Sequence, residues 1–165
     1  MAVHYLKKAD RTPQTGTDET RWIVSDMLTA IESGGEEAEL KYSRDLDGYS
    51  GPALLGRDAI DAAAASVSDQ VKDDIRFAYD RVTSFARAQR ESVNEFEVEL
   101  SPGLWAGQKL IPIETAGCYV PGGRYAHVAS AVMSIATAKV AGVDHIVAAS
   151  APRGEDGPNP AIIYA

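Results

Sequence analysis

A chain of 165 residues, 45% hydrophobic and 24% charged, is long enough to bury one globular core, and its composition argues against disorder. A net charge of −8 argues against nucleic acid, whose phosphates demand clustered Lys and Arg. The single cysteine, Cys118, excludes an internal disulfide framework and fits a reducing cytoplasm, and no run approaches the ~20 apolar residues of a membrane span.

Residues 1–16 read as a polar arm punctuated by Pro and Gly, with no apolar run of the kind a secretory signal carries. "TDETRWIVSDMLTAIESGG" then sets Trp22, Ile23, Met27, Leu28 and Ile31 on one helical face, with Asp18 and Glu19 in the first turn and a stop at Gly34-Gly35. A second helix, "EEAELKYSRDL", follows at once and breaks at "DGYSGP"; "RDAIDAAAASV" is a third. The fourth is expected to bury Val71, Ile75, Ala78, Val82, Phe85 and Gln89, capped by Ser68.

At Glu95 the period changes. "EFEVEL" alternates, with Phe96, Val98 and Leu100 on one side and glutamates on the other, which predicts a half-buried strand. "SPG" turns it and "LWAGQKLIPI" is its antiparallel partner, so a β-hairpin is expected near 95–113. From Gly117 the pattern is βαβ: "GCYV" as strand, "PGGR" as turn, a small-residue helix over 126–141, then "DHIVAAS" as a parallel strand. "NPAIIYA" opens a last helix with Asn159 as cap and Pro160 in its first turn. That helix stops in mid-pattern and two strands are too few for a closed α/β core. The chain is therefore expected to be the N-terminal piece of a longer protein.

The turn holds the candidate chemistry. Gly122 and Gly123 either bring backbone amides to a phosphate at a helix start or serve only a tight turn. Tyr119, at the C-terminal end of the strand, either meets a cofactor ring or ribose or is a half-buried strand aromatic. Arg124, Tyr125 and His127 either contact an anion or form a solvated first turn. Cys118 has no His near it in sequence and reads better as a buried thiol than as a nucleophile. His4, His127 and His145 show no ligand spacing, so no metal site is expected within the chain.

The run "PIETAGCYVPGGRYAHVASAVMSIATAKVAGVDHIVAASAP" resembles the histidinol dehydrogenase superfamily, in which a Tyr-Val/Ile-Pro-Gly-Gly turn and a helix ending "AKVAG" precede a strand and a Pro-bearing loop. The preceding helices and hairpin agree in order, so the resemblance spans the whole chain but only about the first two-fifths of a family member. It implies an α/β enzyme of two incomplete Rossmann-like domains, residues 1–116 belonging to the first and 117–165 opening the second. It also implies a cytoplasmic homodimer that uses NAD and Zn2+ to oxidise a primary alcohol to a carboxylate in two hydride transfers. Its zinc ligands and Glu-His proton-transfer pair are expected beyond Ala165, so the chain alone is expected to be inactive. Tyr119 matches the turn tyrosine that contacts NAD.

Where the histidine-pathway enzymes follow the glycines with small residues, a Pro and a Ser-Ser pair, this chain has "RYAHVASAVMS". That segment looks more like the sulfopropanediol 3-dehydrogenase branch, which oxidises 2,3-dihydroxypropane-1-sulfonate to sulfolactate; Arg124 and His127 suit a sulfonate. L-Histidinol remains the alternative substrate. A non-catalytic nucleotide-binding module is the alternative from another class.

Overall fold

The computed structural model describes residues 18–122 and 125–165. The arm at 1–16, Gly123 and Arg124 lie outside these residues. Helix α1 (Asp18–Tyr42) is one unit and Ser43–Ala165 a second. Within α1, Gly35 takes φ 59°, ψ −145°, a left-handed backbone that side chains avoid, and it breaks the helix in two where the glycine pair predicts a stop. No residue of α1 is buried.

The second unit opens with a π-helical turn at Ser43–Asp47, then α2 (Arg57–Ser66) and α3 (Asp69–Glu91). Ser68 caps α3 as expected, its hydroxyl accepting from the Val71 amide at 3.5 Å. Ser68→Ala is therefore expected to cost about 0.5–1 kcal/mol, the low end for a lost cap, because the bond is long; urea unfolding reads this directly.

The buried face of α3 differs from the one predicted. Ile75, Thr83 and Ala86 are buried and Ala78 and Val82 half-buried, whereas Phe85 is 67% exposed and Val71 and Gln89 also face out. Periodicity locates an apolar stripe, but the partner decides which edge of it is covered. Here the helix packs on the small-residue segment 128–141, and Thr83 and Ala86 allow that close approach.

Strands β1 (Phe96–Ser101) and β2 (Leu104–Gln108) form the expected antiparallel hairpin around Pro102-Gly103, with a bulge between Glu99 and Ser101. The second strand is shorter than the sequence suggests: Leu110, Ile111 and Ile113 follow outside it and are exposed. The half-burial expected of β1 is not found, since both faces of the hairpin are exposed, Trp105 by 57%. Alternation signals which face prefers apolar contact; burial needs a second layer, and none of the described residues of this unit supplies it.

Strand β3 (Thr115–Val120) runs parallel to β4 (His145–Ser150), with Tyr119 opposite Ala149 and Val120 opposite Ser150. Between them run α4 (Val128–Ala131), a π-helical turn at Val132–Ala136 and α5 (Thr137–Ala141), ended by Gly142. The Ser134 hydroxyl donates back to the Ser130 carbonyl at 2.7 Å, a competition for backbone oxygens that loosens a helix at this point. Helix α6 (Pro160–Tyr164) starts on Asn159, whose side-chain oxygen accepts from the Ala161 amide at 3.0 Å. The core lies where α4 and α6 meet β3: Val120, Ala131 and Ile162 are buried there, with Val128, Ile135 and Ala165 packed around them. Helix α2 packs against α6 and α3 against the crossover segment, so α2, α3 and the βαβ segment share one unit.

Candidate functional site

A parallel βαβ unit presents its ligand edge at the C-terminal ends of the strands, because crossover helices begin there and leave their amides unpaired. In this chain that edge is made of Tyr119 and Val120 at the end of β3, Pro121 and Gly122 just after it, Ser150 at the end of β4 and Ala151 just after it.

Alternation along β3 sorts its side chains. Cys118 and Val120 point into the helical layer and are buried, which gives the cysteine the structural reading the sequence favoured: a free, buried strand thiol. Tyr119 points to the other face, shared by register with Ala149 and flanked by Gly117 and Val147, and is 66% exposed. Among the described residues the Tyr119 ring is thus exposed rather than half-buried, near the C-terminal end of β3.

Gly122 is buried, and the reason it must be glycine is close approach. A Cβ built there would sit 2.5 Å from Ser150 Oγ and 2.6 Å from the Ala151 carbonyl oxygen. The turn after β3 therefore lies directly on the end of β4. The Ser150 hydroxyl is itself shielded from solvent and has no hydrogen-bond partner. Sequence reasoning missed Ser150, since nothing local marks it; a hydroxyl ending a parallel strand beside a glycine turn is the signal that could have found it.

His127 is exposed and occupies the cap position of α4 without a side-chain cap. Its amide donates to the Pro121 carbonyl at 3.3 Å, which ties the start of α4 back to the end of β3, and its carbonyl accepts from the Ser130 amide at 2.9 Å. Tyr125 is exposed in the same loop. The structure thus brings Tyr119, Gly122, Tyr125 and His127 to one edge. Among the described residues, no group of three or more His, Cys, Asp or Glu side chains is placed to hold a metal ion, and no helix is long and apolar enough to cross a membrane.

Comparison with known proteins agrees with this architecture. The family model described as histidinol dehydrogenase matches residues 10–165. A histidinol dehydrogenase homolog of Pelagibacter ubique is 48% identical over 99% of this chain and 39% of its own length. A sulfopropanediol 3-dehydrogenase of Ruegeria pomeroyi is 47% identical over 100% of this chain and 38% of its own. In three dimensions, the crystal structure of histidinol dehydrogenase from Elizabethkingia anophelis superposes with a TM-score of 0.80 at 27% identity, covering 92% of this chain and 35% of that one. The chain thus spans about two-fifths of the curated relatives it matches. With the α/β order, the glycine turn and its strand partner all in place, the chain belongs to the histidinol dehydrogenase family.

Proposed function

We propose that this chain is the N-terminal part of a homodimeric, NAD- and zinc-dependent dehydrogenase that oxidises 2,3-dihydroxypropane-1-sulfonate to sulfolactate. In that protein residues 1–116 belong to the first domain and 117–165 open the second. The carrying observation is the exposed Tyr119 ring at the C-terminal edge of the parallel strands, beside the turn at Gly122. The substrate branch rests on the segment 124–134, which departs from the histidine-pathway pattern; at the level of identity a sulfopropanediol 3-dehydrogenase at 47% and histidinol dehydrogenase homologs at 48% and 46% stand alike.

The residues at this edge fit a dinucleotide. An aromatic ring standing free of the sheet offers a face for a base or nicotinamide ring, and the loop ahead of the crossover helix offers amides to phosphate. When bound, NAD supplies the acceptor for each hydride. Oxidation of R–CH2OH to R–COO⁻ removes two hydrides, consumes one water at the aldehyde stage and needs two successive NAD molecules. What this chain does for that chemistry is binding and orientation. Tyr119 holds the dinucleotide, while Arg124 and His127 meet the sulfonate, so that the reacting carbon stands near the ring. The described residues do not fit zinc, and the ligands are assigned to the portion of the protein beyond Ala165. On this reading the chain by itself is expected to lack dehydrogenase activity.

Steady-state kinetics of the full-length protein with NAD test this. The sulfonate diol is expected to exceed L-histidinol in kcat/KM, and Tyr119→Ala is expected to raise the KM for NAD about tenfold, the loss of one aromatic–ring contact. Arg124→Ala and His127→Ala are each expected to reduce the preference for the sulfonate by about tenfold. Preference for histidinol would reject the substrate. Unchanged NAD dependence in Tyr119→Ala would reject its role while leaving the family in place.

A further inference from the structure

A second candidate site lies about 18 Å away, near the other end of helix 128–141 from the Tyr119 edge. There α3 and α5 border a groove of about 600 Å3 lined by Tyr79, Thr83, Arg87, Arg90, Glu91, Lys139 and Val140. Three cations and one carboxylate converge here, on a chain whose net charge is −8.

Tyr79, Thr83, Arg87 and Arg90 follow one another at four-four-three spacing, so they share one face of α3, and Lys139 faces them from the last turn of α5. Arg90 Nη1 donates to the Val140 carbonyl at 3.3 Å and so caps α5. The negative ends of the two helices account for Arg90 and Lys139, each in a last turn. They account for neither of two other facts. Arg87 stands a turn earlier and, among the described residues, meets no carboxylate within ion-pair distance. Thr83 is 4% exposed, and its hydroxyl has no hydrogen-bond partner even though a helical Thr has the carbonyl four residues back within reach. A buried hydroxyl left unpaired costs stability; Thr83 lines the cationic groove, and a turn of its χ1 on binding would bring the covered oxygen to a ligand.

We propose that this groove binds a small phosphate-type oxyanion, with Arg87, Lys139 and the free donors of Arg90 neutralising its charge and the Thr83 and Tyr79 hydroxyls completing its hydrogen bonds. The donors come from two helices rather than one plane, which suits a tetrahedral oxyanion better than a flat carboxylate. The site is separate from the dinucleotide edge and does not depend on the activity assigned there.

Isothermal titration of the full-length protein with inorganic pyrophosphate in low chloride tests it. Saturable binding at about 1 mM or tighter is expected. The double variant Arg87→Gln/Lys139→Gln is expected to weaken it about a hundredfold, roughly tenfold per charge-assisted contact. Glu91→Gln should tighten it, and Thr83→Val should weaken it about fivefold while leaving the helix intact, since both residues are β-branched. Citrate should bind more weakly than pyrophosphate. Absence of saturable binding overturns the proposal, as it would if the rest of the protein fills the groove. Binding that survives the double variant within twofold indicates an adventitious ion only and overturns it as well. Citrate binding as tightly as pyrophosphate overturns the ligand class, and an unchanged affinity in Thr83→Val overturns the hydroxyl as a ligand.

Discussion

Gly122→Ala is expected to destabilise the protein by about 3 kcal/mol, the upper end for forcing extra volume into a packed site. The new methyl group would overlap Ser150 Oγ at 2.5 Å and the Ala151 carbonyl at 2.6 Å. The hydroxyl can rotate, but the carbonyl belongs to the backbone at the end of β4 and moves only if the strand pair moves. Because the turn follows the exposed Tyr119 at the end of β3 and leads to His127, the variant is expected to lose the NAD affinity proposed for this edge along with stability. Urea unfolding measures the first effect. A stability within about 0.5 kcal/mol of wild type, the ordinary range for surface changes, would mean that the turn does not lie on β4 as described.

Ala131→Asp is expected to destabilise the fold severely. Ala131 is 0% exposed, in the cluster with Val120 and Ile162 where α4 and α6 meet β3. An aspartate there would bury a charge with no partner, a loss of roughly 3–5 kcal/mol against a total stability of about 5–15 kcal/mol for a domain. Ala131→Ser separates charge from volume: a buried hydroxyl without a partner costs about 1–3 kcal/mol and should leave a folded, measurable protein. If the aspartate variant were as soluble and as stable as wild type, Ala131 could not be at the centre of this core.

Much of the fold was legible because it is written over short distances. The change from a helical to an alternating period at Glu95 marks the hairpin, and Ser68 and Asn159 act as caps where their spacing to the first turn predicts. The glycine pair at 34–35 breaks α1. Each of these depends on backbone geometry and on partners within a few residues, so a linear string carries the information. The place of Tyr119 near the C-terminal end of β3 was legible for the same reason: a strand followed by a glycine turn and a helix defines its own C-terminal edge.

What only the tertiary structure decided involves partners far apart in the chain. Ser150 lies 28 positions from Gly122, and their contact explains a glycine that local grammar could assign only to an anion or a tight turn. Thr83 and Arg87 come to face Lys139 because α3 packs on the crossover helix, and that packing leaves Phe85 outside. The hairpin has the apolar alternation of a half-buried strand pair and is exposed on both faces. The physical reason is common to all three. Periodicity expresses which surfaces of an element favour burial, a property of each residue and its near neighbours. Burial itself is a property of two surfaces in contact, and which second surface arrives is settled by the packing of the whole chain.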